Sequence, residues 1–228
     1  MTPYECVLTK KLTQAIELTD NLSTLVKSIG NKTVDEEPIL QALIRQIEAT
    51  NQQFDNQLLR YRDLYEKRMR LSNGTDGCIK QLTDKLWEDI DYQFKDGTLT
   101  NDLIKSLYRK INRLPLHTFP IDKRKPVLHK DVRLHEDTYA LLGRYFSWLV
   151  DLLPMINFTP VRSAYCLHEL RLRASQFNAL SQQAMVESEK LRSMQFAQNQ
   201  LYKQLNQAMS VARGRLQLYK REAQRTIK

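Results

Sequence analysis

Three groups of histidine, cysteine and acidic residues are the candidates for chemistry in this chain. The first consists of His117, His129 and His135, which lie in or beside a proline-containing segment. They would meet around a metal ion if that segment folded back on itself, because imidazole nitrogens are good metal ligands. Lys123, Arg124, Lys125 and Lys130 lie beside them in the sequence, and their positive charge opposes cation binding. We therefore expect solvated histidines and no metal site.

The other two groups would lie on helices. Cys166 and His168 are two residues apart, so on a helix they point to different faces and cannot share an ion without ligands from elsewhere. The acidic run at 88–91 is typical of a solvated helix face. The sequence contains neither the Glu-x-x-His pairs of di-iron bundles nor a glycine-rich phosphate loop. We expect no catalytic residue, no metal, no cofactor, no small-molecule substrate and no enzymatic activity.

Basic residues are the remaining candidates for binding. Residues 160–228 hold twelve lysines and arginines against four acidic residues, and so carry most of the net charge of +9. Phosphates or an anionic membrane surface would be attracted to such a segment. Solubility and favourable cations at a helix C-terminus would explain the same pattern. The candidate contacts with an anionic partner are Lys123, Arg124, Lys125, Lys130, Arg213, Lys220, Arg221, Arg225 and Lys228.

The segment that carries this charge predicts one very long helix. After Pro160 the chain has no further proline and only one glycine, Gly214. Apolar residues recur at alternating three- and four-residue steps, interrupted by Glu187, Gln198 and Arg215, and such a stripe must face partner helices. The stripe consists of Phe177, Leu180, Ala184, Leu191, Met194, Leu201, Leu205, Ala208, Ala212 and Tyr219.

This helix would be longer than any single partner in the chain. Either two helices of the chain stack end to end against it, or its distal half projects and pairs with a second subunit. We favour the second arrangement, which makes a homodimer. The predicted self-association seam is Leu191, Met194, Leu201, Leu205, Ala208 and Ala212.

Five helices are predicted ahead of it. Their approximate ranges are 4–29, 33–71, 76–94, 98–114 and 131–153, and glycine- or proline-containing breaks separate them. The fold class is all-α: an elongated antiparallel helical bundle with coiled-coil-like packing and a very long C-terminal helix. We expect a single domain over 1–228, with a shorter lobe at 75–155 around the apolar fifth helix and the long helix at 160–228. Helices one, two and six would form the long bundle.

Three polar features lie in or between these helices. Asn51 interrupts the apolar stripe of the second helix, as a partly exposed amide or as a register-fixing residue with an amide partner opposite it. Arg144 and Asp151 share a face of the fifth helix and could pair within the bundle. The irregular segment 115–130 holds three prolines, and a loop of this length is uncommon without a role.

The sequence also bears on the compartment. Three cysteines without close pairing suit a reducing environment, and the first twelve residues lack the apolar run of a secretory signal. The apolar segment 139–158 carries two charges near its centre, so a buried helix is favoured over a membrane span. We expect a cytoplasmic protein.

Three functions fit these observations. The first is a non-enzymatic structural or adaptor protein that acts by helix-to-helix protein binding and associates with itself. The alternative is a binder of nucleic acid or acidic lipid through the basic C-terminal helix. The third, which the charges in 139–158 disfavour, is a toxin-like protein that inserts this segment into membranes.

Overall fold

The computed structural model describes residues 3–29, 36–74, 77–93, 99–116, 129–159 and 166–226. These ranges form an all-α bundle of six α-helices and one short 3-10 helix, Leu153–Ile156, and contain no strand. The α-helices are α1 (Pro3–Ile29), α2 (Glu36–Asn73), α3 (Ile79–Gln93), α4 (Leu99–Arg113), α5 (His129–Leu152) and α6 (Leu167–Thr226). The predicted number of helices and the long C-terminal helix are confirmed.

Glycine, proline and acidic residues place the helix ends that the sequence predicted. Pro38 lies in the first turn of α2, where no backbone N–H is needed, and the acidic Glu36 and Glu37 favour the same end. After α2 the chain turns through Gly74 and Gly77. A Cβ at Gly74 would collide with the carbonyl oxygen of Arg70, and Gly77 has a left-handed φ of 67°. The last helix begins at Leu167, several residues later than Pro160.

The chain divides into two compact units. Unit 1 contains the described residues of 1–57 and 190–228, and unit 2 contains those of 58–116 and 129–189. Helices α2 and α6 contribute residues to both units. The lobe predicted at 75–155 is therefore part of a unit that also contains the end of α2 and the beginning of α6.

Unit 1 is a three-helix bundle of α1, α2 and α6, as predicted. Its core consists of Ala15, Leu18, Leu22, Leu40, Ile44, Ile47, Leu201, Tyr202, Leu205, Met209 and Ala212. These apolar side chains recur at helical spacing on each element, so one face of every helix is removed from water. That burial is the main source of stability for the unit.

Unit 2 is built around α5, whose apolar character the sequence revealed. Tyr139, Leu142, Phe146 and Leu149 are all buried. Helices α3 and α4 form the predicted hairpin, in which Trp87 stacks on Tyr108 with ring centroids 5.0 Å apart. A search of the described helices, α5 included, finds none that is long and apolar enough to cross a bilayer.

Two thiols of unit 2 are described. Cys78 is buried just before α3 and Cys166 is half-buried just before α6, and both are free.

Candidate functional site

The apolar seam of α6 faces the chain's own helices. Leu191, Leu201, Leu205 and Ala212 are buried, and Leu201, Leu205 and Ala212 belong to the core of unit 1. The two remaining seam residues, Met194 and Ala208, are half-buried. The prediction that this edge needs partner helices was correct, but its use for self-association must be corrected. Residues of α1 and α2 share a core with Leu201, Leu205 and Ala212, and Ala208 packs against it, so no second subunit is needed to cover that part of the seam.

Two of the polar interruptions in the α6 stripe have partners on α2. Gln198 donates from Nε2 to Oδ1 of Asn51 at 2.9 Å, and Asn51 donates to the hydroxyl of Tyr202 at 3.3 Å. Nε of Arg215 lies 3.2 Å from Oε1 of Glu36. Asn51 therefore has the amide partner that a register-fixing residue requires. Both pairs join residues whose numbers add to about 250, which means that α2 and α6 run antiparallel in one register through unit 1.

The opposite side of α6 carries a second, exposed stripe, which we call the outer stripe. Its members are Phe196, Gln200, Lys203, Gln207, Val211, Gly214 and Leu218, all exposed. At 3.6 residues per turn they lie within about 80° of one another, on the side away from Leu205. Phe196, Val211 and Leu218 keep 64%, 56% and 53% of their surface exposed. Three large apolar side chains aligned on one uncovered helix face favour a protein contact.

The spacing of the outer stripe is symmetric about Gln207. Reading outward from Gln207 in either direction, the steps are four, three and four residues. Two copies of α6 placed antiparallel would therefore set Phe196 against Leu218 and Gln200 against Gly214. A Cβ at Gly214 would meet nothing within 4 Å, so packing inside the chain does not explain a glycine in this helix interior.

The basic candidates fall into two groups. Arg213, Lys220 and Arg221 are exposed near the end of α6. Lys130 and Arg225 lie on α5 and α6 at positions whose side chains are not described, and Lys123, Arg124, Lys125 and Lys228 lie outside the described residues. The structure therefore places two of the nine, Arg213 and Lys220, on one face of α6, and Arg221 about a quarter turn away from them.

The candidates for chemistry do not assemble into a site among the described residues. No group of three or more histidine, cysteine, aspartate or glutamate side chains there could hold a metal ion. His117 and most of the segment 115–130 lie outside the described ranges, as do the side chains of His129 and His135. Arg144 and Asp151 were expected to pair inside the bundle. Both are exposed, so they form no buried pair there.

Unit 2 contains a buried ion pair that the sequence analysis missed. Arg68 on α2 and Glu136 on α5 form two hydrogen bonds, from Nη1 to Oε2 at 2.6 Å and from Nη2 to Oε1 at 2.7 Å. The two side chains are 0% and 5% exposed. Tyr61 donates its hydroxyl to Oε1 of Glu136 at 2.7 Å, and the Arg68 guanidinium lies 4.1 Å from the ring centroid of Tyr139. The carboxylate and the guanidinium are thus largely satisfied by one another and by aromatic neighbours.

Burial and charge shift two pKa values in this cluster. Burial, together with the nearby Glu136 carboxylate, raises the pKa of Tyr61 well above its usual value. Burial disfavours the charge on Arg68, but the hydrogen bonds and charge of Glu136 outweigh it and raise the pKa of Arg68. The ion pair and the neutral tyrosine are therefore the stable protonation states, which suits a structural cluster better than a proton-transfer site.

A sequence signal for Arg68 did exist. The stripe of α2 through Tyr61 and Tyr65 continues at the same three- and four-residue steps to Arg68 and Ser72, both 0% exposed. Charge alone suggests a solvated position, whereas the repeat places Arg68 in the core. Glu136 had no comparable signal, because α5 is apolar on nearly every side.

Comparison of the chain with protein-family models, curated proteins and solved structures finds no match.

Proposed function

We propose that this protein is a non-enzymatic structural or adaptor protein that acts by helix-to-helix binding and associates with itself through the outer stripe of α6. The observation that carries the proposal is the exposure of Phe196, Val211 and Leu218 on this stripe, with Phe196 and Leu218 equally far from Gln207. A two-fold dimer uses the same patch on both subunits, so the patch must complement itself.

The residue types in the stripe support an antiparallel pairing of two α6 helices. Phe196 would pack on Leu218 of the second copy at both ends, and Gln200 would lie over Gly214, where no side chain stands in the way. Lys203 would lie beside Val211, along which its aliphatic stem can pack while the ammonium group reaches water. Six of the seven positions are uncharged, so the pairing avoids a row of like charges.

The test combines Phe196→Asp with Leu218→Asp and measures mass by light scattering. We expect a dimer in the natural protein and a monomer in the variant, because the introduced carboxylates would face one another at both ends of the interface, where burial and like-charge repulsion both oppose pairing. Asn206→Asp is the matched control, since Asn206 is exposed on α6 but lies off the stripe. Circular dichroism checks that every variant stays helical. A dimer that survives the double substitution, or a natural protein that is monomeric, would refute the proposal.

Cross-linking tests the direction of the pairing. In the antiparallel arrangement Gln207→Cys meets its own copy, within the few ångströms that a disulfide spans. Gln200→Cys would lie about 21 Å from its copy and should not cross-link. Equal cross-linking at both positions would indicate a parallel pair and would contradict the two-fold arrangement.

One observation favours the alternative function, binding of an anionic surface. Arg213 and Lys220 are exposed seven residues apart on one face of α6, where phosphate groups could reach both. This face is distinct from the outer stripe, so the two functions are separable by mutation at these two positions. We also propose a cytoplasmic location, which the free thiols of Cys78 and Cys166 support because a reducing compartment keeps thiols free.

A further inference from the structure

A groove in unit 2 has the features of a second binding site, independent of the outer stripe. It runs between α5 and α6 and has a volume of about 370 Å³. Its lining consists of Ala140, Arg144, Ser147, Trp148, Asn178, Ser181, Gln182 and Met185. That volume accommodates a few side chains from one face of a peptide, at the small end of the range for ligand sites.

The two helices run antiparallel along the groove, and one hydrogen bond sets their register. Nδ2 of Asn178 donates to Oγ of Ser147 at 2.9 Å. Arg144 lies three residues before Ser147 on α5, and Ser181 lies three residues after Asn178 on α6. Because the helices are antiparallel, Arg144 and Ser181 stand opposite one another across the groove. Close approach of the helices is possible because α5 has a glycine here: a Cβ at Gly143 would collide with Oδ1 of Asn178.

Ser181 has an unmet hydrogen-bonding need. Its side chain is only 8% exposed, and its Oγ has no hydrogen-bond partner among the described residues. A buried polar atom without a partner is costly, and native proteins seldom keep one without a reason. Arg144 directly opposite is exposed and positively charged. A carboxylate between them would accept hydrogen bonds from both, and the guanidinium adds charge complementarity.

Apolar side chains lie on either side of this polar level. Trp148 is four residues beyond Arg144 on α5, and Met185 is four residues beyond Ser181 on α6. Because the helices are antiparallel, Trp148 and Met185 stand at opposite ends of the groove, each about 6 Å from the polar centre. They keep 49% and 43% of their surface exposed. The groove is therefore apolar, polar and apolar along its length.

We propose that this groove binds an amphipathic helix of a partner protein, with one acidic side chain between Arg144 and Ser181. The helix lies along α5 and α6. Its acidic residue is flanked four positions on either side by a large apolar residue, because four residues of helix also rise about 6 Å. One apolar side chain packs on Trp148 and the other on Met185.

The experiment uses a helical peptide longer than about 15 residues with the face Leu-x-x-x-Glu-x-x-x-Leu, and a matched peptide with Gln for Glu. The full chain carries Trp87→Phe, which leaves Trp148 as the only one of the two tryptophans. We expect the Glu peptide to shift the Trp148 emission to shorter wavelength. We also expect it to bind roughly tenfold more tightly than the Gln peptide, because a charge-assisted hydrogen bond is lost.

Two variants test whether Arg144 and Ser181 cause the preference for the Glu peptide over the Gln peptide. Arg144→Gln should make the two peptides bind about equally, and Ser181→Ala should weaken the Glu peptide more than the Gln peptide. Arg109→Gln, an exposed cation on α4, is the matched control and should leave the tenfold ratio intact.

Three outcomes would overturn the proposal. The first is equal binding of the two peptides to the natural groove. The second is an unchanged Trp148 emission up to about 1 mM peptide. The third is an emission shift that follows protein concentration without peptide, which would mean that a second copy of this chain fills the groove. None of these outcomes bears on dimerisation through the outer stripe.

Discussion

At the scale of single residues, the least expected feature is the full burial of Arg68. An arginine leaves water at a large cost unless a counter-charge and hydrogen bonds replace its hydration. Glu136 supplies both, and the ring of Tyr139 covers the guanidinium face, a favourable cation–π geometry. The arrangement links the end of α2 to α5 inside unit 2. A geometric match of this kind specifies one packing of the two helices.

The pair predicts a strongly non-additive mutational cycle. Glu136→Leu leaves the Arg68 charge buried and uncompensated, so it should lower the free energy of unfolding by about 3–5 kcal/mol. Arg68→Met should cost a similar amount, for the same reason applied to Glu136. The double variant removes both charges and should cost less than either single change. Urea denaturation measures all four proteins. Two single effects that simply add would contradict a coupled pair.

At the scale of elements, two glycines in helix interiors have opposite environments. Gly143 on α5 lies where a Cβ would collide with Asn178 and would stand 3.2 Å from Cδ1 of the buried Phe177. Gly214 on α6 faces open space. The first is needed for the approach of α5 to α6, and the second is unused by the folded chain. Sequence alone presents the two glycines identically, because each interrupts a helical pattern.

Alanine substitution should therefore have opposite signs at the two positions. Gly143→Ala forces Asn178 to move and crowds Phe177, so we expect a loss of about 1 kcal/mol in the free energy of unfolding. Gly214→Ala should gain about 0.5–1 kcal/mol, because alanine is the better helix former. Thermal or urea unfolding in the Phe196→Asp background keeps self-association out of the measurement. Stabilisation by both changes would show that α5 and α6 do not need the close approach.

The elements also show what sequence reasoning can reach. Local signals located all six α-helices, because the apolar period and the glycine and proline breaks act within a few residues. The partners of Asn51 and Arg215 were beyond that reach. Gln198, the partner of Asn51, lies 147 residues from it in the sequence, and Glu36, the partner of Arg215, lies in the first turn of α2. Only the antiparallel register of α2 and α6 brings these pairs together. The α5–α6 groove was hidden for the same reason: Arg144 and Ser181 become neighbours only once the two helices are aligned.

At the scale of the whole molecule, the distribution of charge separates the two candidate functions. The outer stripe carries one charge, that of Lys203, whereas Arg213 and Lys220 are exposed on another face of α6. Contacts between amides and apolar side chains depend weakly on ionic strength, while binding to phosphates releases counterions and depends on it steeply. Salt therefore distinguishes the functions without any mutation.

We expect self-association to persist when NaCl is raised from about 0.1 to 0.5 M, with little change in the dimer dissociation constant measured by sedimentation. Binding to a generic duplex or to anionic vesicles should fall by more than tenfold over the same range if it occurs at all. Arg213→Glu with Lys220→Glu should abolish any such binding and leave the dimer intact, because both positions lie off the outer stripe. A dimer that dissociates in salt would shift the balance to an electrostatic function.

Cys78, just before α3, is only 4% exposed, so its reaction with a thiol reagent reports on transient opening of unit 2. A thiol reagent reaches its sulfur only when the surrounding helices open transiently, so the labelling rate follows the frequency of local opening in unit 2. Cys166 is already half-exposed, so it reacts without such an opening and serves as the reference thiol within the same chain. If ligand binding or dimer formation stabilised unit 2, the labelling rate of Cys78 would fall and that of Cys166 would stay unchanged.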